Sequence, residues 1–254
     1  KSMVVLLLMS VFHNSWTQPL PSKLKHDVII DTDCGIDDFR AISLLLANPA
    51  ITVKAILTTD GNIAPADGIE KVRALLGEFS QTGIPAGKGE TLPEVNPAWR
   101  DFAGSVSWGS RAETTGSFIG SSELLIKTLR EADGRITLIC LGPLTNIAKA
   151  ITRDPLIISR IERIIWYNDS AEPVKGFNYE CDREAAEAVL STPARIVSIS
   201  NLDRDEACFD QELADACRQS DTPAGRIINK VLLQDPVIRT QGETGFRLMD
   251  DLTV

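Results

Sequence analysis

The sequence predicts an α/β fold, an open and mostly parallel sheet flanked by helices in a Rossmann-like layering, and three observations carry that prediction. Strand-length apolar runs alternate with helix-length amphipathic stretches, the pattern of parallel βαβ units joined by right-handed crossovers. The first unit turns through a corner rich in carboxylates, residues 26–39 (HDVIIDTDCGIDDF), and open α/β folds bind ligands beyond the carboxyl ends of their strands. No internal repeat or linker interrupts the alternation, so residues 23–254 read as one domain.

Ahead of that domain, a basic start leads into an apolar run over residues 4–12, too short to span a bilayer. Residues 1–22 therefore read as a signal peptide or N-terminal extension. The expectation is export, periplasmic or secreted; a cytoplasmic location follows if the segment is instead a buried strand.

Taken in order, Val28, Ile29 and Ile30 form the first strand, and FRAISLLLA, apolar at positions 39, 42, 45 and 46, is a helix laid on the sheet. Residues 51–62 (ITVKAILTTDGN) give a second buried strand ending in a polar loop. Residues 64–79 give a helix with Ile69, Val72, Leu75, Leu76 and Phe79 as its stripe, and residues 84–86 a short strand. Residues 87–116, rich in Gly, Pro, Ser and Trp, read as a long irregular insertion, which in a compact domain is either functional or mobile. Regularity resumes with a helix over 120–131, a buried strand over 135–141, a helix over 143–151, a strand over 163–167 and a polar loop through Asn178. Asp182 is placed to cap the helix REAAEAVL, with Ala185, Ala186 and Leu190 facing inward. A strand over 195–200 and helices over 210–219 and 223–234 follow, and residues 246–254 open an apolar, helix-like phase in which the sequence stops.

Composition narrows the function. A net charge of −9, with no basic groove, disfavours nucleic acid as a partner. The five cysteines show no CxxC pair and no metal-site spacing, so they read as reduced thiols rather than a disulfide framework. Both histidines, His13 and His26, precede the first strand, which leaves none for a mechanism centred on a core histidine. No GxSxG elbow, P-loop or GxGxxG supports another standard α/β chemistry.

The chemistry is concentrated in Asp31, Asp33, Asp37 and Asp38, four acids within eight residues, around a glycine, Gly35, expected to permit a sharp reversal. Like charges this close repel, and a hard cation bound by oxygen ligands resolves the conflict, Ca²⁺ or Mg²⁺ rather than zinc. Asp33 and Asp38 are the strongest pair, one at the strand end and one at the helix start. The competing reading is a simple preference for acids at a helix N-terminus. Asn62 (in DGN) and Asn178 (in GFN) read equally as turn residues and as groups projecting into the same crevice as Asp33. The junction GPLTN, residues 142–146, is either a plain helix start or a place where a backbone carbonyl reaches an ion. Asp250, followed by Asp251, is either a surface turn or a ligand arriving from the far end of the chain. Asp31 and Asp33, two apart, also admit a DxD-type phosphatase, which the glycine turn and two further acids fit poorly.

DTDCGIDD resembles the DTDxGxDD signature of the calcium-dependent inosine/uridine-preferring nucleoside hydrolases. TTDGN, LICLGPLTNIAKA, FN with DREAAEAVL, and RLMDDLTV follow in family order across residues 27–254. The resemblance implies a Ca²⁺ site made of Asp33, Asp38, Asp250 and the backbone carbonyl of Leu141, with Asp33 also accepting a proton from the metal's water. It implies that Asp37, Asn62 and Asn178 hold the ribose hydroxyls and that Asp31 lies behind the metal ligands. The implied reaction is hydrolysis of the N-glycosidic bond of a ribonucleoside or related riboside to ribose and free base. The implied partners are that small molecule and further copies of the chain, as a homodimer or homotetramer, with no nucleic acid and no stable membrane span.

Three departures qualify the resemblance. Met249 stands where the family has a His before the last calcium Asp; Gly176 stands where it has a Glu contacting the 5′ hydroxyl; and SVSWGSR lacks the family's His-Gly pair. The metal and 2′,3′-hydroxyl half of the site is thus kept, while the 5′-hydroxyl and leaving-group half is not, with Trp108, Arg111 and Trp166 as candidates to meet the base. These departures motivate the alternative expectation of a catalytically impaired relative that binds calcium and a ribosyl group. Members usually run some tens of residues beyond the last Asp, so the domain is expected to be incomplete at its C-terminus.

Overall fold

A computed structural model of the chain describes residues 25–110, 118–200, 208–209, 211–232, 234, 237, 246–247 and 250–253. The N-terminal segment, Arg111 and Met249 lie outside the described residues. In chain order the first elements are β1 (His26–Thr32), α1 (Ile36–Ala47), β2 (Ile51–Thr58), α2 (Pro65–Glu78), β3 (Ala86–Gly87), α3 (Arg100–Ser105) and α4 (Ser121–Glu131). Then come β4 (Ile136–Cys140), α5 (Thr145–Arg153), β5 (Ile161–Tyr167), the short strands β6 (Ser170–Ala171) and β7 (Val174–Lys175), α6 (Phe177–Cys181), α7 (Arg183–Leu190) and β8 (Ile196–Ile199). The remainder is β9 (Cys208–Phe209), α8 (Gln211–Gln219), α9 (Pro223–Leu232), β10 (Phe246–Arg247) and a 3-10 turn, Asp250–Thr253.

The main sheet has the order β3-β2-β1-β4-β5-β8 with every neighbouring pair parallel. The order reverses between β1 and β4, and that reversal opens a crevice at the carboxyl ends of the two strands. The centre of β1, Val28 to Ile30, reads as an unbroken apolar run because helices cover both faces. Val28 and Ile30 pack with Phe39, Ile42, Leu45 and Leu46 of α1, Val72 and Leu75 of α2 and Ile228 of α9. Ile29 faces the other way, onto Leu124 and Leu125 of α4, Ile147 of α5 and Val189 of α7. Full burial of each such side chain stabilises by about 1.5–3 kcal/mol, so the two layers together can hold a corner where carboxylates repel one another.

Four expectations are corrected. The polar loop before Asn178 contains an antiparallel pair, β6 with β7, and Asn178 itself sits in the first turn of α6. The insertion carries a short helix, α3. Residues 246–247 pair antiparallel with β9, and residues 250–253 form a 3-10 turn rather than an α-helix. Leu190 is exposed, and Val189 takes the inward position with Ala185 and Ala186, because i, i+1 and i+4 share a helix face while the helix ends at 190. Asp182 does cap α7, its side chain accepting from the Ala185 N–H at 3.0 Å. No helix among the described residues is long and apolar enough to cross a membrane.

Candidate active site

The corner between β1 and α1 reverses at Cys34, whose φ is +65°, and not at Gly35, whose φ is −65°. Gly35 is needed for room instead. A Cβ there would lie 2.5 Å from Asp37 Oδ1, 2.6 Å from Asn62 Nδ2 and 2.9 Å from Asp38 Oδ2. With that space open, the Gly35 N–H donates to Asp38 Oδ2 at 3.0 Å and the Thr32 hydroxyl donates to Asp38 Oδ1. Asp38 is thereby fixed in the first turn of α1, where the partial positive charge of the helix end favours an acid.

Asp33 is oriented by the loop after β2. Asn62 donates to it twice, from its backbone N–H to Oδ2 at 3.0 Å and from Nδ2 to Oδ1 at 2.7 Å. A Cβ on Gly61 would fall 2.1 Å from Asp33 Oδ2, so the loop approaches this closely only because residue 61 is a glycine. Asn62 Oδ1 in turn accepts from Trp99 Nε1 at 2.6 Å. Trp99 comes from the insertion, which is clasped to the same loop next door. Buried Asp60 accepts from Arg100 Nη2 and from the Leu92 N–H, both at 2.8 Å, and Arg100 Nη2 also donates to the Gly61 carbonyl at 2.9 Å.

Three of the acids converge. Asp37, Asp38 and Asp250 each present a carboxylate oxygen within 4.8 Å of the others, whereas Asp33, expected beside Asp38 and Asp250, is not one of this group and has both carboxylate oxygens bound by Asn62. Burial, reinforced by neighbouring acids, raises Asp38 and Asp250 well above the ordinary carboxylate range. Burial likewise brings Asp33 up to about 6, opposed by its bonds from Asn62. Asp250 Oδ1 is buried with no hydrogen-bond partner among the described residues. Leu141 ends the β4 side of the crevice; its carbonyl accepts from Asn178 Nδ2 at 2.8 Å, and the same Nδ2 donates to the Tyr167 carbonyl at 3.0 Å. Asp31 lies behind, accepting from Asn146 Nδ2 at 2.9 Å, and burial pushes it up to about 8. The donors are all oxygens, and an orphaned buried carboxylate oxygen beside mutually repelling acids is the arrangement a hard divalent cation relieves. The residues present fit such an ion.

Above the acids opens a cavity of about 420 Å³, within the range of small-molecule sites. Asp37, Asn62, Asn178 and Asp250 line it together with Trp99, Phe102, Tyr167 and Phe177. The Trp99 and Phe177 rings meet at 5.1 Å and 58°. The aromatic wall differs from the one expected. Trp108 is buried against Phe39 with ring centroids 5.5 Å apart, and Trp166 is buried with Nε1 donating to the Gly142 carbonyl at 3.2 Å. Neither lines the cavity. Sequence alone did not indicate Trp99, Phe102, Tyr167, Phe177 or the Asp60–Arg100 clasp; the one available signal, for Trp99 and Phe102, was the aromatic content of an aperiodic insertion.

The sequence model of the inosine-uridine preferring nucleoside hydrolases matches residues 28–254. The chain belongs to that family. The pyrimidine-specific ribonucleoside hydrolase RihA of Escherichia coli O7:K1 is 32% identical over 185 residues, 67% of this chain and 58% of the relative. Probable uridine nucleosidase 2 of Oryza sativa subsp. japonica is 31% identical over 183 residues, 66% of this chain and 54% of the relative. The chain thus spans little more than half the length of these relatives. Among solved structures, a plant nucleoside hydrolase superposes with a TM-score of 0.77 at 25% identity, covering 90% of this chain and 77% of its own. A purine-preferring ribonucleoside hydrolase from Gardnerella vaginalis, at 20% identity and a TM-score of 0.74 over 89% of this chain and 78% of its own, shares the fold.

Proposed function

We propose that the protein hydrolyses the N-glycosidic bond of a ribonucleoside or related riboside, giving ribose and free base, with Ca²⁺ held by Asp33, Asp38, Asp250 and the Leu141 carbonyl. The observation that carries this reading is the convergence of Asp37 and Asp38, from the first corner, with Asp250, from far along the chain, beneath an aromatic-walled cavity.

A bound divalent cation supplies positive charge that favours the ionised carboxylates and acidifies a water in its shell. Asp33 would accept a proton from the attacking water, and its two bonds from Asn62 hold it in one orientation for that. Asp37 and Asn178 take the ribose hydroxyls in this proposal. Asn62 contributes chiefly through Asp33 and Trp99, since both ends of its amide are already engaged there. Bond cleavage builds positive charge on the sugar, which the surrounding carboxylates stabilise in a site that excludes bulk water. Trp99, Phe102 and Phe177 offer apolar faces for the base. Tyr167 stays protonated, its pKa raised by burial and by Asp169, Asp250 and Asp37, and its O–H donates to Asp169 Oδ1 at 3.4 Å.

Incubating the protein with a panel of purine and pyrimidine ribosides plus calcium, and assaying reducing sugar, tests this. Release well above that of Asp33→Asn is expected; no such release with any riboside refutes hydrolysis. Gly176 favours a second reading, a binder of calcium and ribosyl groups without turnover, which predicts calcium-dependent thermal stabilisation alone. A phosphatase through Asp31 is disfavoured, since Asp31 lies within β1 and its carboxylate is held by Asn146 Nδ2 at 2.9 Å behind the corner. Export directed by residues 1–22 and assembly as a homodimer or homotetramer belong to the same proposal, tested by cell fractionation and light scattering.

A further inference from the structure

Gly176 has a φ of +133°, where side chains other than glycine are strained. A Cβ built on it would lie 2.6 Å from Asp169 Oδ2, 2.7 Å from Asp169 Cβ and 2.8 Å from Asp169 Cγ. The volume that a side chain at 176 would enter is therefore occupied by the Asp169 carboxyl group. That group lines the cavity and is only half-buried. It is also oriented: the Phe177 N–H donates to Oδ2 at 3.1 Å and the Tyr167 hydroxyl to Oδ1 at 3.4 Å. A carboxylate offers about four acceptor positions, so two protein donors leave capacity for a ligand.

We infer that Asp169 is a specificity-determining residue that accepts a hydrogen bond from the 5′ hydroxyl of the bound riboside, in the space a side chain at 176 would otherwise fill. This rests on the ribosyl reading above. With the cis 2′,3′ diol assigned to Asp37 and Asn178, a ribonucleoside has one further sugar hydroxyl. With Asp37 and Asp250 assigned to the diol and the cation, Asp169 is the one cavity-lining acid left among the described residues. An acid at this place also rejects a phosphate on the same carbon by like-charge repulsion, so the ligand class is nucleosides and not nucleotides.

The test compares kcat/KM for uridine and 5′-deoxyuridine in the full chain, in Asp169→Ala and in Asp169→Asn, which keeps the shape, all with calcium. Loss of a hydrogen bond to a charged acceptor is expected to lower wild-type kcat/KM about 10- to 100-fold on passing from uridine to 5′-deoxyuridine. Asp169→Ala should lose a similar factor on uridine and almost nothing on 5′-deoxyuridine, because the same bond is removed once in either way. Equal wild-type rates on the two substrates, or an equal loss on both in the variants, overturns the inference while leaving the hydrolase reading intact. If no riboside of the panel above is turned over, the hydrolase reading fails, and the inference is decided by binding. Calcium-dependent melting shifts should then be larger with uridine than with 5′-deoxyuridine, and equal shifts overturn it.

Discussion

Replacing Arg100 with Met removes a guanidinium while keeping an apolar stem, and the structure sets the consequence. Asp60 is fully buried and its partner Arg100 is 19% exposed, so the pair is shielded from water and salt. Without Arg100, Asp60 keeps one donor, the Leu92 N–H at 2.8 Å, and the Gly61 carbonyl loses one. Breaking a buried pair from one side destabilises by about 3–5 kcal/mol, and the surviving donor places this case near about 3 kcal/mol. For a domain of this size that lowers Tm by about 6–12 °C, readable by circular dichroism. The double variant Arg100→Met/Asp60→Leu should recover most of the loss, since exchanging a buried pair for apolar side chains is close to neutral. Tryptophan emission should shift too, because Trp99 adjoins Arg100 and its indole N–H is bound to Asn62. A Tm change below about 2 °C in Arg100→Met, or a double variant no more stable than the single, would show that the clasp does not hold the insertion in place.

Asp250→Asn should raise Tm in chelator, because it removes one of several mutually repelling buried carboxylates, and should abolish stabilisation by calcium; a lower Tm that still responds to calcium contradicts the proposed metal site. In chelator, Tm should fall as pH rises from about 5 to about 8: Asp33 and Asp31 are raised to about 6 and about 8, so the folded chain holds protons the unfolded chain has released, and that stability is lost as pH climbs through those values. Calcium should flatten this slope, and a Tm that instead rises across the window refutes the burial-driven shifts. Gly61→Ala should displace Asp33, since the new Cβ falls 2.1 Å from Oδ2; a loss of about 1–3 kcal/mol by denaturant melts and at least about tenfold in riboside hydrolysis is expected, against no change if the loop simply yields.

Much of the fold was legible because its signals are local. Val28 to Ile30 and the stripe at 39, 42, 45 and 46 each report their own environment through period and apolarity, and DTDCGIDD marks the corner by itself. What was not legible depends on tertiary placement. Gly35 was recognised as necessary, yet a sequence does not distinguish a glycine needed for its φ from one needed for its missing Cβ; here Cys34 adopts the left-handed turn and Gly35 makes room. Trp108 and Trp166 were candidates for the base because they are aromatic, but their direction is set by packing on Phe39 and Gly142. Trp99 went unnoticed because it is held by Arg100 and Asn62 contacts between an aperiodic insertion and a loop well before it in the chain. Asp250 reads from sequence as either a surface turn or a distant ligand, and only the resemblance chooses between them, since a pair of adjacent acids carries no spacing that points to α1.

The meeting of Gly176 with Asp169 bears on how the family's sequences can vary. The two positions draw on one volume, so their side chains are mutually exclusive: any relative of this backbone with a side chain of size at the place of 176 needs a small residue at the place of 169. An acid should therefore be found at one of the two and not at both. The same exclusion governs engineering. Gly176→Glu alone would drive a side chain into the Asp169 carboxyl from a backbone at φ +133°, whereas Gly176→Glu made together with Asp169→Gly clears the space and lets the backbone relax.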